Sequence, residues 1–191
     1  MWTISLWDHN WQWIQWVVAV GISLTAAVYD ATTRRIPNAL TGPALLAGAI
    51  WAMWVAGPAG LADAGVGCVL LATPYVILFL FAGGGAGDAK LMGAIGAWMG
   101  IINSLIVLTG VSVAAIALAI GFTMAKKRTR SVLDNLVRIG YQGILLVLSA
   151  GRFKPYMSAP EDVGSMEKMP YGVAIFVGVC IAAGGALVWR A

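Results

Sequence analysis

Apolar residues along this chain come in long unbroken runs, not in the two-residue alternation of half-buried strands. Six runs stand out, at residues 13–29, 39–56, 61–82, 89–102, 104–124 and 170–189. Most are long enough to cross a hydrocarbon core of about 30 Å as helices. The pattern predicts an all-α, polytopic membrane protein with six transmembrane helices, in one membrane-embedded domain over residues 1–191. Helices are the expected form because a chain in lipid must satisfy its own backbone groups.

The fourth run is short. Its fourteen residues make a helix of roughly 21 Å. Either the bilayer thins around it, or the preceding Gly83-Gly84-Gly85-Ala86-Gly87-Asp88 dips below the membrane surface and leaves Asp88 in a wet recess. Pro74 predicts a kink in the third run. Gly93, Gly96, Gly110, Gly121, Gly178, Gly184 and Gly185 lie within runs and read as small residues for close helix packing.

A loop over about residues 125–169 separates the last two runs and is too long to be a mere connector. Within it, Val132, Leu136, Ile139 and the stretch 144–148 are apolar, with Asp134 and Arg138 between them. This reads as an amphipathic helix lying in the membrane interface, not as a seventh span. Residues 156–168 read as an irregular loop.

Composition supports a membrane class: 60% of residues are hydrophobic and 10% charged, against roughly 25% charged in a soluble domain. The net charge of +4 does not indicate nucleic acid, because there is no basic–aromatic interleaving for stacking bases. Eleven of the twelve Lys and Arg fall at Arg34 and Arg35, at Lys90, and between Lys126 and Lys168. Such clustering marks cytoplasmic loops and sets both termini outside. The nine tryptophans, at positions 2, 7, 11, 13, 16, 51, 54, 98 and 189, then all lie towards the non-cytoplasmic headgroups. No Lys or Arg precedes the first run, so it lacks the basic start of a secretory signal and is expected to be retained. Cys68 and Cys180 sit in apolar runs and form no CxxC pair, and His9 is the sole histidine. No metal or organic cofactor is expected.

Against this background two acids stand out. Asp30 closes the first run and Asp88 opens the fourth. Ionisable groups at membrane depth are costly and usually functional. Alone, Asp30 reads as a partner for Arg34 one helical turn on, and Asp88 as a cap for the fourth helix. Asn38, after Pro37, reads as the cap of the second helix. Together the acids read differently. Both fall at the cytoplasmic ends of helices, so they can share a depth and a proton. One then activates water while the other protonates the scissile carbonyl. Gly85 and Gly87 shape the loop of the second acid. Lys90 supports it electrostatically or meets lipid phosphate, and Arg34 and Arg35 read as topology signals.

The aspartate before Arg34-Arg35-Ile36-Pro37-Asn38, the G-x-G-D element followed by Lys90-Leu91, and Met169-Pro170-Tyr171-Gly172 resemble the type IV prepilin peptidases. The resemblance covers nearly the whole chain. It implies a membrane aspartic protease with Asp30 and Asp88 as the catalytic pair. It also implies a prepilin-like substrate with a basic leader, a glycine before the scissile bond and a hydrophobic helix after it, cut at the cytoplasmic face of the inner membrane. Larger members carry a CxxC-bearing domain and N-methylate their product. This chain looks like the compact peptidase-only type found with Tad/Flp pili, and archaeal preflagellin peptidases are near neighbours. Presenilin-like proteases are less similar, since their two aspartates lie on consecutive helices. The rival class is a small proton- or cation-coupled transporter or channel. Against it, the chain shows no internal repeat and both acids sit at one face. A non-catalytic assembly subunit would need no paired acids.

Overall fold

The computed structural model describes residues 11–82, 85–126 and 171–188, and every element among them is a helix. These are α1 (Gln12–Thr33), α2 (Asn38–Ala82), α3 (Ala86–Lys126) and α4 (Tyr171–Val188). Three of them, α1, α2 and α3, are long and apolar enough to cross a membrane. The interfacial helix expected within residues 131–154, His9 and the tryptophans at 2, 7 and 189 lie outside the described residues.

Two single glycines break the long helices. Gly57 has φ 63° and ψ −151°, and Gly100 has φ 65° and ψ −170°. Such backbone is open to glycine and closed to residues with a Cβ. Each break reverses the chain. A straight α2 would hold Ala52 and Gly60 about 12 Å apart. Instead, a Cβ on Gly60 would overlap the Ala52 carbonyl, and Ala52 and Ala64 share one buried cluster. A straight α3 would carry Val111 about 35 Å from Asp88. Instead, Val111 packs on Gly178, six residues from Gly172 at the acid end of the bundle. Each break also starts the next helix well. Pro58 takes the first helical position after Gly57, where its missing N–H costs nothing. After Gly100, the Ile101 N–H donates to Asp63 Oδ1 at 3.2 Å.

The interruption in α2 thus falls at Gly57, and the backbone stays helical through Pro74. Four of the seven glycines read as packing residues do bring helices together. A Cβ on Gly96 would strike Gly67, one on Gly93 would meet Cys68 Sγ at 3.3 Å, and Gly110 and Gly178 face each other. Among the described residues, a Cβ on Gly121, Gly184 or Gly185 would meet nothing within 4 Å, so close packing between the described helices does not explain them.

The first half of α3 is the centre of the molecule, and residues 91–100 are all buried. Leu91, Met92, Ile95 and Met99 pack with Ala19 and Ala26 of α1 and with Ile175 and Val179 of α4. Glycines on its other flank accept α2. Protein surrounds this stretch. Outside, the molecule is apolar: Val17, Leu24, Ile50, Val69, Ile116 and Ile181 are exposed. Inside, it holds Gln15, Ser23 and Ser104 without exposure. Apolar outside with small and polar residues within is the arrangement expected of helices packed in lipid.

The two ends of the bundle differ. At one, Trp51 stacks on Trp98 with centroids 6.1 Å apart, and Trp11 meets the edge of Trp51 at 5.9 Å. The acids lie at the other, since Asp30 is about 28 Å along α1 from Trp11.

Candidate active site

Asp30 sits three residues before the end of α1, half-buried. The helix closes on Arg34, whose left-handed backbone (φ 52°) directs its N–H to the Asp30 carbonyl at 2.9 Å. Arg34 therefore meets Asp30 through the backbone. The carboxyl reaches another helix: Gly172 N–H in the first turn of α4 donates to Asp30 Oδ2 at 2.8 Å.

Asp88 lies in the first turn of α3, half-buried. Its N–H donates to the Gly85 carbonyl at 3.1 Å, closing that turn. Its side chain folds back over Gly85, where a Cβ would stand 2.7 Å from Asp88 Oδ2. Gly87 faces the other way, and a Cβ there would lie 3.1 Å from Ile36 Cβ. Each glycine of the G-x-G-D element thus has its own steric reason. One leaves room for the carboxyl, and the other lets the α1–α2 loop dock on the start of α3. The docking brings the two acids within electrostatic reach of each other.

Lys90 takes a different direction. Residues two apart on a helix do not share a face. Its Nζ donates to Asn38 Oδ1 at 2.9 Å, tying the start of α3 to the start of α2. This corrects the reading of Asn38 as a cap. Asn38 is the first helical residue of α2, and the Pro37 carbonyl takes the N–H groups of Leu40 and Thr41. Lys90 and Asn38 flank an apolar groove of about 440 Å³ lined by Leu45, Cys68, Ala72 and Val76.

Three residues escaped the sequence reading. Tyr75 of α2 lies within electrostatic reach of both Asp88 and Tyr171. Its sequence signal was a polar ring late in an apolar run. Tyr171 belongs to a quoted motif but carried no role. Asp63 lies at the opposite end, on the α3 break. Among the described residues no group of three or more His, Cys, Asp or Glu side chains could hold a metal ion.

This is a helical protein with three helices long and apolar enough to cross a membrane and with two carboxyls at one end of its bundle. Its sequence gives the family. The model of the type IV leader peptidase family matches residues 17–120, more than half of the chain, and the protein belongs to that family. The matched region contains Asp30, Asp88, Gly85, Gly87 and Lys90 and stops before α4. A prepilin leader peptidase/N-methyltransferase of Neisseria gonorrhoeae is 30% identical over 131 residues, which is 64% of this chain and 46% of that protein. The chain thus spans about half the length of this curated relative. No solved structure matches it.

Proposed function

We propose that the protein is a membrane aspartic endopeptidase that removes the basic leader from prepilin-like precursors, with Asp30 and Asp88 as the catalytic pair. The observation that supports the reading is that two carboxyls carried by separate helices at one end of the bundle lie within electrostatic reach of each other, in a member of the leader peptidase family. Two nearby carboxyls share a proton, because both do not readily ionise in a low-dielectric site. The ionised one takes a proton from water as its oxygen attacks the scissile carbonyl carbon. The protonated one gives its proton to the carbonyl oxygen, forming a gem-diol. Collapse breaks the C–N bond, with a proton delivered to the leaving nitrogen and a carboxylic acid left on the leader. Gly85 and Gly87 shape the Asp88 turn, and Lys90 supports it from the side. Water and the acids supply this chemistry, without a cofactor.

The substrate on this reading carries a basic leader, attracted to the acid end, and a hydrophobic helix that stays in lipid. The six helical segments separated by the loops and the glycine breaks serve as six membrane crossings. Arg34, Arg35 and Lys90 at the acid end, and Trp11, Trp51, Trp54 and Trp98 towards the other, favour a cytoplasmic site with both termini outside. The product enters a Tad/Flp-type or related pilus system.

The test is to incubate the purified protein with a prepilin and follow the mass of the precursor. Wild type should convert it, while Asp30→Asn and Asp88→Asn should insert and fold but leave it uncut. Robust cleavage by either variant would remove the reading. No cleavage by wild type, together with acid-dependent proton or cation flux in vesicles, would favour the transporter.

A further inference from the structure

The geometry points to Gly172 as the positioning residue for Asp30: its N–H tethers one carboxyl oxygen, and its missing side chain makes room for the approach. The inference rests on the reading of Asp30 as a catalytic group. It concerns a residue outside the family-matched region.

Three observations converge on it. The first is the bond itself, Gly172 N–H to Asp30 Oδ2 at 2.8 Å, between residues 142 apart in sequence. It is a charge-assisted bond when the carboxyl is ionised, and such bonds hold direction well. The second is steric. A Cβ on Gly172 would stand 2.8 Å from Asp30 Cβ, 3.1 Å from Oδ2 and 3.3 Å from Ala27 Cα. Two of those atoms are fixed by the α1 backbone, so any side chain at 172 pushes α4 and the carboxyl apart. The third is electrostatic. Asp30 lies near the C-terminal end of α1, where free carbonyls gather negative charge. Its carboxyl turns instead to the N-terminal end of α4, where free N–H groups gather positive charge.

The consequence is a division of labour within one carboxyl. Oδ2 is held by α4, which leaves Oδ1 to meet water or the partner acid. A tether of this kind adds nothing to substrate affinity. It keeps the reacting oxygen in one pose, and small misplacements of a reacting group are expensive. The same bond in a purely structural role would join α1 to α4, and its loss would lower stability without touching turnover in the folded fraction.

Two changes separate these roles in the full-length protein reconstituted in vesicles. Gly172→Ala keeps the N–H and adds the clash. Replacing the Tyr171–Gly172 amide by an ester, through incorporation of glycolic acid at position 172, removes the N–H and adds no atom. Gly178→Ala serves as the structural control in the same helix, since a Cβ there overlaps the Val111 backbone away from the acids. The expected result is a fall in kcat of about 30-fold or more for Gly172→Ala and about tenfold for the ester, with prepilin KM within about twofold of wild type. Gly178→Ala should lower the thermal midpoint but keep kcat per folded molecule. The proposal fails if the ester enzyme turns over at the wild-type rate, whatever becomes of Gly172→Ala. It also fails if Gly178→Ala loses kcat to the same extent as Gly172→Ala. Cleavage by Asp30→Asn would instead overturn the catalytic reading beneath it.

Discussion

Gly87 lies so close to Ile36 that a Cβ on the glycine would stand 3.1 Å from the isoleucine Cβ. One residue belongs to the turn that carries Asp88, the other to the loop that follows Asp30. Their contact is the steric link between the two acids, and it dictates a size limit at position 87. Gly87→Val should cut prepilin cleavage by about 100-fold through a displacement of the order of 1 Å. Gly87→Ala should lose less, because the loop has to give by only a few tenths of an ångström. Adding Ile36→Ala to Gly87→Ala should recover part of the loss. A double-mutant cycle read by cleavage rate should give a coupling of at least about 0.5 kcal/mol.

Asp30 accepts a bond from a neighbouring helix, whereas the backbone N–H of Asp88 closes its own turn. Removing each acid should therefore have unequal effects on stability. Asp30→Asn retains an acceptor for Gly172 N–H and should unfold near the wild-type midpoint. Asp30→Ala leaves the first turn of α4 without it and should cost about 1 kcal/mol. Thermal unfolding in detergent distinguishes the two, while a cleavage assay should find both inactive.

Gly96 approaches Gly67 closely enough that a Cβ would overlap the opposing backbone. Gly96→Ala should destabilise by about 1–3 kcal/mol, as overpacking does. Gly184→Ala, where a Cβ would meet nothing within 4 Å among the described residues, should leave the unfolding midpoint unchanged or slightly higher. Comparing the two midpoints tests whether glycine contact, rather than glycine content, holds the bundle together.

Gln15 is fully buried in α1, and neither polar atom of its amide has a hydrogen-bond partner among the described residues. Gln15→Leu should raise stability by about 1–3 kcal/mol, because a desolvated polar pair is replaced by an apolar group of similar size. A rise in the unfolding midpoint with unchanged cleavage is the expected outcome, since Gln15 lies near the tryptophan end.

Much of the helical layout was legible because apolar run length and glycine placement act locally. The ends of the sequence runs agree with those of the helices to within a few residues. The breaks were less legible. Pro74 attracts attention as a helix disturber, yet the one residue of α2 with non-helical backbone is Gly57. Gly57 and Gly100 look like any other glycine until their positive φ is seen. The enclosure of the fourth run by protein was not legible either. Burial of residues 91–100 is a tertiary fact, and only the neighbours reveal it. At the site, the approach of Asp30 and Asp88 could be argued from their places at the end of one helix and the start of another. The Gly172 tether could not, because nothing local to Met169-Pro170-Tyr171-Gly172 says which helix it meets. Asp63 was passed over for a similar reason, since its partner is the Ile101 N–H set free by a break not visible in the sequence.

The two hairpins reverse on one residue apiece, leaving the tryptophan end without slack. An epitope, fluorescent label or natural insertion spliced in at Gly57 or Gly100 would have to pry apart helices that touch on both sides of the turn. Variation in length among homologues, and any tag an experimenter wishes to add inside the chain, should accordingly be tolerated elsewhere and rejected at these two corners.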